Sequence, residues 1–142
     1  MIVLDTNVLS EVITPQPSPP VLAWILRELP SNLYTTSISQ AELLYGVELL
    51  PKGRRRSALH AAVVKMLAED FADRILPFDS DAAEDYSRIA AARRAMGRPI
   101  SEADARIAAI TVSRGARLAT RNTRDFEHCG IKVVNPWSPP LT

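Results

Sequence analysis

Four acids hold the positions from which this chain could do chemistry. Asp5 follows the apolar run Ile2-Val3-Leu4 and precedes Thr6 and Asn7. A carboxylate at the carboxyl end of a buried strand faces the crevice in which open α/β sheets bind their ligands. Glu42, Asp104 and Asp125 occupy comparable stations: an opening helix after a second strand, the first turn of a helix predicted from Ser101 to Arg114, and the segment after a strand predicted from Arg117 to Thr120. Parallel strands would bring all four to one crevice. Carboxylates gathered this way repel one another at neutral pH, and a divalent cation relieves the repulsion. Oxygen ligands alone select a hard ion, so magnesium or manganese is expected over zinc or copper.

Structural roles compete with this reading. Asp5 and Asn7 can cap the first helix, Asp104 can complete the capping-box-like Ser101-Glu102-Ala103-Asp104, and Glu42 can be a solvated helical residue. Asp is a poorer partner than Glu in such a box. The run Ile107-Ala108-Ala109-Ile110 also makes the Asp104 helix apolar enough for its first turn to abut the core. Several acids at equivalent junctions favour the site over separate structural roles.

Other residue types narrow the chemistry. Cys129 is the only cysteine, so no disulfide forms within the chain, and His60 and His128 are the only histidines. Both histidines read as solvated surface residues. Catalysis therefore rests on carboxylates, hydroxyls or a metal held by oxygen.

The elements that must position these groups alternate along the chain. A short helix is expected from Asn7 to Ile13, an extended loop through Pro15, Pro17, Pro19 and Pro20, and a helix from Val21 to Leu29 with Pro20 in its first turn. Leu33 to Thr36 reads as a second strand. Ser37 or Ser39 can cap the helix that runs through Ala41 to Leu50 and stops at Pro51 and Gly53. A longer helix follows from Arg55 to Ala72, then a strand from Ile75 to Phe78 and a helix from Ser80 to Met96. Gly115 ends the Ser101 helix, and Arg117 to Thr120 and Lys132 to Val134 supply the last strands. Five strands interleaved with helices predict an α/β fold with a mainly parallel five-stranded sheet covered on both faces.

The chain of 142 residues, 46% hydrophobic and 23% charged, is expected to be a single domain spanning residues 1–142. No apolar run approaches the roughly 18 residues of a membrane span, and no basic segment precedes a long apolar stretch at the N-terminus. A cytoplasmic protein without membrane contact is the expectation. The net charge of +1 conceals asymmetry, with nine arginines against two acids between Arg88 and Arg124, and seven acids against Arg74 alone between Glu69 and Asp85. The basic stretch can face an anionic partner such as nucleic acid, or simply solvate helix surfaces.

Taken in order, Leu4-Asp5-Thr6-Asn7, Ala41-Glu42-Leu43 with Gly46, Ala103-Asp104 with Ile107-Ala108-Ala109, and Ala119-Thr120-Arg121-Asn122 with Asp125-Phe126 resemble the successive motifs of PIN domains. Within that superfamily the chain is similar to the toxin subunits of VapBC toxin-antitoxin modules. Arg74-Ile75-Leu76-Pro77-Phe78-Asp79 and the closing Asn135-Pro136-Trp137 resemble the FitB-like branch.

The resemblance implies a three-layer α/β/α fold and a magnesium- or manganese-dependent endoribonuclease silenced by a cognate antitoxin. Asp5, Glu42, Asp104 and Asp125 are its implied catalytic acids, with Asp5 and Asp104 as direct metal ligands and Glu42 ligating directly or through water. Thr6 and Asn7 would orient the Asp5 carboxylate. The chain departs from some relatives at Asn122, which can hydrogen-bond but adds no charge where they carry an aspartate. Arg93, Arg94, Arg98, Arg121 and Arg124 are the expected contacts to the RNA backbone, with Lys52 and Arg54 to Arg56 as a further basic segment. The resemblance also implies a homodimer, and an antitoxin tail that brings a basic side chain to the acids. Operator DNA would be contacted only indirectly, through the antitoxin. A protein acting mainly within such a DNA-bound complex, with little cleavage of its own, is the alternative. A metal-dependent phosphatase is disfavoured because no glycines cluster into a phosphate-binding loop.

Overall fold

The computed structural model describes residues 1–139. Its sheet contains β1 (Ile2–Leu4), β2 (Leu33–Thr36), β3 (Ile75–Leu76), β4 (Arg117–Ala119) and β5 (Val133–Val134) in the order β3-β2-β1-β4-β5. All pairings are parallel. The expected α/β architecture is therefore present, with a sheet that is wholly rather than mainly parallel. The connecting helices are α1 (Thr6–Val12), α2 (Pro19–Arg27), α3 (Ser37–Glu48), α4 (Arg54–Lys65), α5 (Ser80–Ala95) and α6 (Glu102–Ser113).

Two apolar layers sandwich the sheet. Ile2 and Leu4 of β1 join residues of α1 to α4 in one core, while Val3 turns to the other face and packs with α5 and α6. This alternation follows from the two-residue period of a strand. All three β1 residues are buried, as the central strand of a sheet covered on both faces must be. Burying a side chain such as Leu4 contributes about 1.5–3 kcal/mol relative to leaving it exposed.

Local chemistry sets the element ends. Pro19 and Pro20 begin α2, where a missing N–H costs nothing. Thr36, rather than Ser37 or Ser39, caps α3: its backbone is still extended, so its side chain accepts from the Ser39 N–H at 3.1 Å. The expected strand to Phe78 stops at Leu76, because Pro77 has no N–H to offer a ladder. The long fourth helix ends at Lys65 and widens into a π-type turn over Met66–Asp70. Gly115 follows the end of α6 with φ 62, a left-handed conformation that costs glycine little. No helix among the described residues is long and apolar enough to cross a membrane.

This strand order creates a crevice. The chain runs outward from β1 through β2 to β3, then crosses to the other side of β1 to form β4 and β5. The direction of winding reverses between β1 and β4, and beyond the carboxyl ends of strands at such a reversal lies the natural ligand site of an open parallel sheet.

Candidate active site

Asp5 leaves β1 at that reversal and is 5% exposed. It is also the N-cap of α1, with Oδ1 accepting from the Thr6 N–H at 2.8 Å. Capping and site formation thus use the same carboxylate. Its other oxygen, Oδ2, accepts from the Thr120 hydroxyl at 2.7 Å and from Asn7 Nδ2 at 3.3 Å. Burial raises the Asp5 pKa, and the nearby Glu42 charge adds to the rise, while the bonds from Thr120, Thr6 and Asn7 oppose it.

Asn7 links Asp5 to the β4 side. Besides touching Asp5, its Nδ2 donates to Thr120 Oγ1 at 3.2 Å, and its Oδ1 accepts from the Arg121 N–H at 3.1 Å. The amide orientation is fixed by that last bond, because a backbone N–H can only donate. Thr6 departs from expectation. Its backbone serves Asp5, but its hydroxyl lies 2.7 Å from Glu42 Oε1 and 2.9 Å from Ser39 Oγ. A carboxylate can only accept, so the single hydroxyl proton of Thr6 goes to Glu42 and the Ser39 hydroxyl completes the pair. Thr6 therefore orients the exposed Glu42 rather than acting on Asp5 alone.

Asp104 stands in the first turn of α6. Its N–H donates to Ser101 Oγ at 3.2 Å, which is half of a capping box. Among the described residues the return bond from the Asp104 carboxylate to the Ser101 N–H is not made, so the carboxylate is left to face the crevice. Burial, then the charge of Asp5, raises its pKa to about 6; Asp125 and Glu42 contribute smaller increases and Ser101 partly offsets them. Four acids from separate parts of the chain thus share one electrostatic field.

They share a field without closing a cage. Among the described residues no group of three or more His, Cys, Asp or Glu side chains is drawn together tightly enough to hold an ion. Mutual repulsion limits how closely ionised carboxylates approach. Asp5, Glu42 and Asp104 stand in an open arrangement around the crevice.

The β4 side has a different construction. Asp125 lies exposed on a 3₁₀ turn over Thr123–Phe126. Asn122 enters through its backbone, whose N–H donates to Thr120 Oγ1 at 3.1 Å, rather than through its side-chain amide. Thr120 was not singled out by sequence reasoning, although its motif was.

The arginines separate into distinct roles. Arg93 is a correction: only 5% exposed, it donates through Nε to the Arg98 carbonyl at 2.7 Å and through Nη1 to the carbonyls of Asp125 and Glu127 at 2.8 and 3.0 Å. Its Nε and Nη1 latch the Asp125 turn to the end of α5, and its burial keeps it from the surface where RNA would lie. Arg98 pairs with Glu127 at 2.9 Å. Arg94 and Arg124 are exposed, and the Arg121 guanidinium lies over the Trp137 ring at 5.0 Å from its centroid. His60 and His128 are exposed, as expected.

Comparison with known proteins places this arrangement in context. The family model described as PIN domain matches residues 2–132. The chain is 41% identical over 139 residues to VapC ribonuclease Y4jK of Sinorhizobium fredii, covering 98% of this chain and 99% of that protein. It is 39% identical over 137 residues to toxin FitB of Neisseria gonorrhoeae, covering 96% and 99% of the two chains. A solved structure of FitAB bound to an IR36 DNA fragment superposes with a TM-score of 0.92 at 38% identity, covering 99% of this chain and 98% of the other.

Proposed function

The chain belongs to the PIN-domain family, and from that premise we propose that it hydrolyses RNA phosphodiester bonds with a divalent metal at the carboxylate cluster between β1 and β4. It is a VapC-type toxin ribonuclease of a type II toxin-antitoxin system. The observation that carries the catalytic reading is the meeting of four acids at the crevice, where burial first, and then the charges of Asp5, Asp125 and Glu42, raise the Asp104 pKa to about 6.

The donor chemistry fits a hard cation. Magnesium is commonly held by one or two carboxylates together with water and substrate phosphate, which suits an open cluster. Asp5 and Asp104 would hold the ion, and Glu42 would join directly or through water. Bound there, magnesium or manganese supplies Lewis acidity, an acidified water and charge to offset that developing on phosphoryl oxygens.

The chain's own residues prepare the rest. Thr120 and Asn7 fix one oxygen of Asp5, the Thr6 N–H fixes the other, and the Thr6 hydroxyl aims Glu42. Asp104 is ionised at neutral pH and becomes protonated as the pH falls through about 6. Asp125 adds negative charge from the β4 side. Exposed arginines, Arg94, Arg121 and Arg124, offset the repulsion between this cluster and the RNA backbone.

Apolar side chains left in solvent suit the assembly. Leu26 and Leu29 beyond one core layer are 75% and 69% exposed, and Tyr45 on α3 and Leu49 at its C-terminal cap are 65% and 67% exposed. These surfaces support a homodimer and an antitoxin contact, with a basic antitoxin side chain entering the acidic cluster. The likeness to FitAB on DNA supports a second, compatible role within an antitoxin-held operator complex. An RNA substrate and a protein antitoxin would both be met in the cytoplasm.

The decisive experiment incubates the isolated chain with structured RNA and manganese, then adds EDTA, and repeats the assay with Asp5→Asn. Cleavage that requires the metal and Asp5 is expected. Cleavage surviving both changes would sink the catalytic reading.

A further inference from the structure

Arg121 combines three features that no other arginine shares. Its backbone N–H is tied to Asn7 Oδ1 at 3.1 Å, its guanidinium lies 5.0 Å from the Trp137 ring centroid, and it follows Thr120, whose hydroxyl touches Asp5. Among the described residues it makes no ion pair, whereas Arg56, Arg88, Arg98, Arg106 and Arg114 each have a carboxylate partner. Trp137 is itself held. It packs against the core formed with α1 to α4, and its backbone N–H donates to Asn135 Oδ1 at 2.9 Å.

We propose that the Arg121–Trp137 stack is a preformed phosphate platform for RNA on the β4 side of the site, with Trp137 as the residue that positions Arg121. This deepens the ribonuclease reading and rests on it. A guanidinium presents a planar fork of N–H donors that matches two phosphate oxygens, and an aromatic face beneath it leaves that fork's edge available. A side chain ordered before binding loses less freedom when the phosphate arrives. The platform also answers an electrostatic problem. With Arg93 buried and Arg98 paired to Glu127, two of the five expected RNA contacts are already committed. Arg121 supplies a cation at the rim of an acidic cluster that would otherwise repel its substrate.

The test measures RNA affinity against salt in the full chain carrying Asp5→Asn, which allows binding without the cut. Each phosphate contact contributes about 0.7 to the slope of log affinity on log salt for single-stranded nucleic acid. Arg121→Ala should lower the slope by about that amount and weaken binding several-fold. Trp137→Leu should weaken binding with little change in slope, since the charge remains but is no longer held, and Trp137→Phe should restore most of the affinity. Arg121 is exposed, so its replacement does not depend on repacking a core. An unchanged slope in Arg121→Ala, while the unsubstituted chain still cuts RNA with manganese, overturns the platform alone. A folded Trp137→Leu protein that binds as tightly as its parent overturns the positioning role. If the parent binds no RNA and the unsubstituted chain cuts none, the platform and the ribonuclease reading fall together.

Discussion

The Thr120 hydroxyl donates its one proton to Asp5 Oδ2 at 2.7 Å, across 115 positions of sequence. Thr120 Oγ1 in turn accepts from Asn7 Nδ2 and from the Asn122 N–H, so both of its lone pairs are used. One hydroxyl thereby ties β1, the start of α1 and the turn after β4 into a single polar unit.

Thr120→Val preserves shape and removes every one of those bonds. The expected cost is about 1–3 kcal/mol of stability from the stranded buried groups. The Asp5 pKa should rise further, because its largest opposing hydrogen bond is gone. Urea unfolding and the pH profile of RNA cleavage check this, with the acidic limb displaced upward. Thr120→Ser should recover both properties.

Asp104 makes stability depend on pH in a definite direction. Its folded pKa, about 6, exceeds the ordinary 3.8, so the folded state holds the proton more tightly. Stability from this group is fully present below about 3.8 and is lost as the pH rises towards 6. In metal-free buffer, Asp104→Asn should therefore stabilise the protein at pH 7.5 by about 1 kcal/mol, after allowance for solvent screening. The gain should shrink towards pH 4. Melting curves in EDTA measure it, and with manganese bound the acid limb of cleavage should lie below about 6, because the cation favours the ionised carboxylate.

Metal binding should reverse that penalty. Manganese at 100 times its dissociation constant stabilises a folded protein by about 2.7 kcal/mol if the unfolded chain does not bind it. Thermal shift assays should show the gain in the unsubstituted chain and its loss in Asp5→Asn and Asp104→Asn. An equal shift in all three proteins would place the ion elsewhere.

Arg93→Met should be costly for a reason unrelated to RNA affinity. Three partly buried carbonyls lose their donor, and leaving such acceptors unpaired costs up to about 1–3 kcal/mol each where water cannot replace the bond. Arg93→Lys retains charge without the planar fork and should recover only part of the stability. Denaturant titration gives the order. The salt dependence of RNA binding by folded Arg93→Lys should match that of the unsubstituted chain.

Assembly can be checked at α3. Tyr45→Glu with Leu49→Glu places charge on exposed apolar positions and should yield a monomer without loss of helicity. Light scattering on the unsubstituted chain at micromolar concentration should give a dimer mass, and a strict monomer would overturn the assembly.

Much of this fold is written in local patterns. The apolar run before Asp5, the prolines opening α2 and the glycine closing α6 each act within a few residues, so periodicity and turn chemistry reveal them. The ends of elements were less legible. Thr36 and Ser37 both suit a cap, and only the extended backbone at Thr36 decides between them. Non-local choices were harder still. Arg93 resembles its exposed neighbour Arg94 in sequence, and its burial depends on carbonyls presented by the 98 and 125–127 segments. Thr120 carried no mark of its bond to Asp5, because that bond exists only once β4 pairs with β1. The acids were legible as a group through their shared junctions, while the openness of their arrangement was not.

The pairing of β4 with β1 also sets a clock on synthesis. The Asp5 carboxylate is made long before Thr120, and at about 5–20 residues per second the intervening chain takes on the order of ten seconds to translate. Throughout that interval the carboxylate lacks its donor, and its flanking strand lacks the neighbour that completes the crevice. The crevice therefore takes shape only when the chain is nearly finished, because its far wall is among the last parts to be made.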